Sequence, residues 1–113
     1  MIVKETERST YLDVSRIDWE PTKYPGVDIK VLYRDPSGKL TTLTRMAPGA
    51  RLPLHRHVGI EQSYVLEGTL VDDDGACTAG NFVHRRAGSA HAAWSPEGCL
   101  VLGIFDAPNE FLD

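Results

Sequence analysis

Apolar and polar residues alternate along this chain in short runs, and turn-forming residues interrupt them about every ten positions. The breaks fall at Pro25-Gly26, Asp35-Pro36-Ser37-Gly38, Pro48-Gly49, Asp72 to Gly75, Gly80-Asn81, Ala87-Gly88 and Pro96-Glu97-Gly98. Between them VDIKVLYR (Val27 to Arg34) and KLTTLTRMA (Lys39 to Ala47) alternate in part, are rich in β-branched residues and flank a short turn, which predicts a hairpin. SYVLEGTLVD (Ser63 to Asp72), ACTA, FVHRR, HAAWS and CLVLGIF read as further short strands. No stretch sustains the apolar period of an α-helix. The pattern predicts an all-β sandwich or barrel, with a single domain over residues 19–113 and an N-terminal arm over 1–18 whose first ten residues are loosely held.

Composition narrows this without changing it. A chain of 113 residues, 42% hydrophobic and 25% charged, suits one globular core. Twelve basic residues against sixteen acidic ones give a net charge of -4, with the basic residues scattered, so nucleic acid is not an expected partner. The N-terminal MIVKETERST has no apolar signal region and no run is long enough for a spanning helix, so no membrane partner is expected and the expected location is the cytoplasm. Cys77 and Cys99 form no C-x-x-C pair. They read as small strand residues without a redox role.

The chemistry concentrates in HRHVGIEQSYVLEG. In an extended segment side chains alternate faces, so His55 and His57 point to one side while Arg56 points to the other. A rim of solvated polar residues would also place them so. Val58-Gly59-Ile60 reverses the chain, and Glu61 opens the returning strand with its carboxylate on the same side. Ser63 and Val65 share that face and are candidate cavity lining. His91 follows the turn at Gly88 and shares a face with Ala93, another candidate lining residue, and Ser95. Imidazoles with one carboxylate suit Fe, Mn, Ni, Cu or Zn better than the oxygen-preferring Ca or Mg.

Other polar residues have plainer readings. His84, between charged neighbours, reads as surface, and Asp72 to Asp74 read as a solvated turn rather than a calcium loop. Arg45 shares a face with Leu43. It is either an exposed strand charge or a guanidinium projecting into the barrel, where it would fork a substrate carboxylate. Tyr64 and Trp94 fall on the faces opposite the candidate ligands, as outer packing or a dimer contact.

These residues resemble the cupins. The first cupin motif, G-x5-H-x-H-x3/4-E-x6-G, is matched at every fixed position by GARLPLHRHVGIEQSYVLEG, Gly49 to Gly68. The second, G-x5-P-x-G-x2-H-x3-N, is matched by Gly80, Gly88 and His91 in GNFVHRRAGSAHAAWS, with Arg86 in place of the proline and Ser95 in place of the asparagine. Those departures bear on the stiffness of the turns near His91 rather than on the ligand set. Within the cupins, the run from YPGVDIKVLYRD to AGSAHAAWSPEGC is similar to the cupin-like domain of ChrR anti-sigma factors and to dihydroxyacetophenone dioxygenases.

The resemblance implies a small double-stranded β-helix, a jelly-roll barrel, usually homodimeric, with one divalent transition metal carried onto His55, His57, Glu61 and His91. Fe(II) is favoured, with Zn(II), Mn(II) or Ni(II) as alternatives. Two functions follow. One is a dioxygenase cleaving a small diketone, hydroxyketone or aromatic substrate, with Glu61 as ligand or proton acceptor. The other is a non-catalytic zinc-binding sensor or ligand-binding module. The helical zinc domain with its C-x-x-C pair that accompanies the cupin in ChrR regulators has no counterpart in these residues, so a free-standing sensor is the expected form of the second. Isomerase or decarboxylase chemistry ranks lower, because the sequence offers no further acid or base facing the cavity.

Overall fold

The computed structural model describes residues 1–112. In chain order the strands are β1 (Ile2–Glu5), β2 (Thr10–Leu12), β3 (Glu20–Pro21), β4 (Val27–Arg34), β5 (Leu40–Met46), β6 (Arg51–Arg56), β7 (Glu61–Asp72), β8 (Gly75–Thr78), β9 (Phe82–Arg85), β10 (Ala90–Trp94), β11 (Cys99–Phe105) and β12 (Glu110–Phe111). One 3-10 turn, Val14–Arg16, is the only helical element among the described residues. No helix of the described residues is long and apolar enough to cross a membrane.

All strand pairs are antiparallel, and the main sheet curls on itself as in a jelly roll. One half runs β3-β4-β5-β11-β7-β9 and the other β12-β6-β10-β7-β8, so β7 belongs to both. The strand changes halves at a bulge: Val101 faces Val65 and Leu100 faces Glu67, which leaves Leu66 as an extra residue. Gly68 follows in a left-handed conformation (φ +73°), where a Cβ would overlap the Gly98 carbonyl oxygen and the Cys99 Cα. The bulge also reverses the side-chain phase. Glu61, Ser63 and Val65 point inward before it, whereas Leu70 and Asp72 point inward after it.

Val27, Met46, Ala50, Val65, Leu70 and Val101 fill the space between the two halves, together with Cys77, Ala93 and Cys99. Both cysteines are buried free thiols whose pKa burial pushes up. The β4–β5 hairpin forms as the sequence predicts, closed over Asp35, whose Oδ1 accepts from Ser37 N at 2.9 Å. The N-terminal arm is more ordered than a loose tail. β1 and β2 form a separate two-stranded sheet, and the following turn is tied to the barrel where Lys30 Nζ donates to the Val14 carbonyl at 2.9 Å.

The two departures from the second cupin motif are absorbed by other bonds. Ser95 is fully buried and ties three segments together: Gly49 N donates to its carbonyl at 2.7 Å, its own N–H donates to Ala50 at 3.1 Å, and its Oγ donates to the Thr69 carbonyl at 2.6 Å. The turn without proline is closed by Ser89, whose N and Oγ both donate to the Arg86 carbonyl, at 3.2 and 2.6 Å.

Candidate metal centre

Two segments converge at one end of the barrel. β6 delivers His55 and, just past its end, His57; β10 runs antiparallel to it with His91 directly opposite His55. Between these strands lies a bulge in which Ala92 faces both Pro53 and Leu54. Proline cannot donate to a ladder, and here it sits at the irregularity, where its carbonyl is available to His55 Nδ1 at 2.8 Å. His57 is clamped through its backbone, its N–H donating to Ser89 O at 2.8 Å and its carbonyl accepting from Gly88 N at 2.6 Å. The ring centroids of the three histidines are 4.6 to 5.1 Å apart, and one ring nitrogen from each lies within 4.8 Å of the others.

Hydrogen bonds fix which nitrogens are free. A carbonyl oxygen only accepts, so His55 carries its proton on Nδ1 and presents a lone pair on Nε2. His91 Nδ1 lies 2.9 Å from Asp72 Oδ2. Burial raises the Asp72 carboxyl, but His91, the Arg85 charge and the backbone N–H groups of Asp74 and Gly75 outweigh it and hold the group below the ordinary carboxylate range. Asp72 is therefore an ionised acceptor, and His91 also presents Nε2. Burial depresses the pKa of both His55 and His91, and for His91 the Arg85 charge adds to it, so both rings are neutral and able to donate a lone pair.

His57 tests whether a metal fits. Its side chain is 1% exposed, yet neither ring nitrogen has a hydrogen-bond partner; Nδ1 is 3.4 Å from Glu61 Oε1. A buried imidazole with both nitrogens idle is costly unless something else engages it. A cation between the three convergent imidazoles would engage one of those nitrogens, and an all-nitrogen set suits a transition metal.

Glu61 faces the same space but is not among the three convergent residues. Its Oε1 accepts from Asn109 Nδ2 at 3.3 Å, and its Oε2 accepts from Ser63 Oγ at 3.3 Å and lies 3.5 Å from Arg85 Nε. Burial pushes its pKa up, but His57, Asn109 and Arg85 outweigh this and keep it ionised. Arg85 reaches the site because β9 pairs with β7 in a register that sets it opposite Glu61. Its Nη1 also binds Asp72 at 2.6 Å, linking the two carboxylates.

These groups border a small cavity of about 60 Å³, with His55, His91, Glu61 and Arg85 at the polar end and Leu52, Val101 and Phe105 among its apolar walls. Ser63 and Ala93 line it, and Val65 is fully buried in the core. Arg45 does not enter the barrel. In β5 the buried residues are Thr42 and Met46, and Arg45 points outward, paired with Asp28 at 2.9 Å and stacked on Trp19 at 4.3 Å. An open groove between the β8–β9 hairpin and the Arg86–Ala90 turn reaches His91 from outside, with the exposed His84 on its wall.

Asp72, Arg85 and Asn109 are the residues that sequence reasoning missed. For Arg85 a signal existed, since Val83 and Arg85 share the inward face of FVHR. Asp72 was hidden by the bulge. Asn109 lies in a segment with no periodic pattern.

A curled antiparallel barrel with three inward histidines at one end defines a cupin. The chain belongs to the ChrR cupin-like domain family, whose model matches residues 7–106. No curated protein sequence matches it. Among solved structures it is similar to a candidate acetylacetone dioxygenase from Methylibium petroleiphilum PM1, with TM-score 0.87 and 20% identity over 99% of this chain and 86% of that one. An acetylacetone dioxygenase from Acinetobacter johnsonii gives TM-score 0.86 and 18% identity over 97% and 82%. The Rhodobacter sphaeroides SigE complex with the anti-sigma ChrR gives TM-score 0.72 and 21% identity over 81% of this chain and 51% of that one.

The carboxylate behind a metal-binding histidine holds its ring and tautomer. Asp72→Asn should therefore weaken metal binding about 10- to 100-fold, measured by competition with a chelator, because His91 loses a charged partner. Unchanged affinity would show that Asp72 serves the turn and Arg85 alone.

Proposed function

We propose that this chain is a metal-dependent cupin whose site is built for catalysis on a small oxygenated ligand, as a non-haem Fe(II) dioxygenase of a diketone or hydroxyketone. The observation that carries this reading is the pairing of three convergent imidazoles with a small adjoining cavity that also holds an ionised carboxylate. His55, His57 and His91 would hold the metal. When bound, a ferrous ion would supply a site for substrate oxygen and for dioxygen, the substrate itself giving up the electrons that reduce dioxygen.

The protein's own groups do the rest. Glu61 is kept ionised beside the cavity, so it can take a proton from a carbon flanked by carbonyls without first losing one to solvent. Arg85 shares its charge between Glu61 and Asp72 and so keeps both carboxylates in place. Leu52, Val101 and Phe105 exclude water. A cavity of about 60 Å³ is far below the several hundred Å³ of an ordinary drug-sized pocket. That favours a ligand of a few heavy atoms over an aromatic one. The names of the two dioxygenase neighbours support the same direction.

A second reading has its own support. The family is described by the ChrR domain, and three histidines completed by water also suit zinc, so a ligand- or metal-sensing module without turnover is the alternative. Oxygen uptake separates the two. Fe(II)-loaded protein should consume oxygen with acetylacetone or hydroxyacetone, and Glu61→Gln should lower the rate about 10²-fold or more while metal content stays the same. Full metal loading with no oxygen uptake on either compound would contradict the enzyme reading and favour the sensor.

We also propose a cytoplasmic homodimer formed through the outer face of the barrel. Phe82, Tyr64, Leu102 and Leu43 stand opposite one another in a continuous cross-strand row, with Phe82 51% and Tyr64 41% exposed. A row of this kind is what an isologous contact would cover. Light scattering should give twice the 12.5 kDa chain mass, and the single chain mass at micromolar concentration would refute the dimer.

A further inference from the structure

Buried polar atoms without partners are rare in folded proteins, and each calls for an explanation. Among the described residues there are five such side-chain atoms: Tyr24 Oη, both ring nitrogens of His57, Arg85 Nε and Asn109 Oδ1. Four of the five belong to the site. A metal would engage one ring nitrogen of His57, whose Nδ1 lies 3.4 Å from Glu61 Oε1, but it accounts for neither Arg85 Nε nor Asn109 Oδ1, which lie on residues lining the cavity itself.

The chemistry of Asn109 fixes its orientation. An amide can be turned either way, but the atom facing Asn109 here is a carboxylate oxygen of Glu61, which accepts hydrogen bonds. The NH2 group must therefore face Glu61, as it does at 3.3 Å, and the oxygen is left as a buried acceptor with nothing to accept. Arg85 is the complement. Its Nη1 is held by Asp72, while Nε–H, also buried, lies 3.5 Å from Glu61 Oε2 without forming a hydrogen bond. The polar end of the cavity thus offers one idle acceptor and one idle donor beside the three histidines.

We propose that Asn109, supplied by the segment between β11 and β12, is a specificity-determining residue that accepts a hydrogen bond from a hydroxyl on the ligand, while Arg85 Nε donates to an adjacent oxygen. This rests on the small-ligand reading above and narrows it: the site is built for a compact compound that presents a hydroxyl beside a carbonyl, a hydroxyketone or the enol form of a diketone, rather than for one whose oxygens all only accept. A site that hydrogen-bonds a hydroxyl discriminates strongly against an analogue lacking it, because the buried protein group is then left unpaired.

Hydroxyacetone and methoxyacetone test this, since both carry the same two oxygens and only the first has a proton to donate. Calorimetric titration of Zn(II)-loaded protein, which turns nothing over, should show hydroxyacetone binding about tenfold or more tightly. In Asn109→Ala the two compounds should bind within about twofold of each other, with metal content unchanged because the side-chain hydrogen bond of Asn109 goes to Glu61 rather than to a histidine. Equal binding in the parent protein overturns the assignment and needs no variant to be read. A preference that survives in Asn109→Ala arises from ligand size and also overturns it. Metal taken up without any hydroxyacetone binding refutes this inference alone, whereas failure to take up metal refutes the small-ligand reading and this inference together.

Discussion

The site depends on a reciprocal pair of backbone hydrogen bonds between His57 and the Gly88–Ser89 turn. They join the end of β6 to the start of β10, and the strand register then sets His55 against His91. Without that clamp, His57 would sit on an unpaired loop beyond its strand, and three rings from two segments would have no common centre. Ligands of a metal site must be held before the ion arrives if binding is not to carry the full entropy of ordering them. Here backbone bonds do the holding, which frees the imidazole nitrogens.

A second layer of charge surrounds the rings. Asp72 orients His91 with one oxygen while the other caps its own hairpin, accepting from Asp74 and Gly75 at 2.9 and 3.1 Å. Arg85 then connects Asp72 to Glu61. The turn, the histidine and the carboxylate at the cavity are thus coupled through one guanidinium. A change in any of them is felt by the others, as in other buried charge networks. The departures from the second cupin motif do not loosen this frame, because Ser89 and Ser95 supply bonds where proline and asparagine are missing.

The short strands, the β4–β5 hairpin and the convergence of His55, His57 and His91 were legible because they rest on a period of two and on turn residues, while the barrel that joins them came from the resemblance to the cupins. Features that depend on a change of phase were not. Counting by twos from Glu61 places Asp72 outside the barrel, and only the extra residue at Leu66 turns it inward. Arg45 was open to either reading because Leu43 is apolar; β5 instead buries Thr42 and Met46, so an apolar neighbour misleads where the outer face is itself apolar. Asn109 comes from an irregular connection whose position is set by long-range packing, which leaves no local signature.

The central claim is that three convergent histidines hold a metal, and elemental analysis of the purified protein beside its His57→Ala variant tests it most directly. The account predicts about one transition-metal ion per chain in the parent and a marked loss in the variant, accompanied by a lower melting temperature, since a metal bound only by the folded state stabilises it. A parent protein that stays metal-free in metal-replete cells and after addition of Fe(II) or Zn(II) would contradict it.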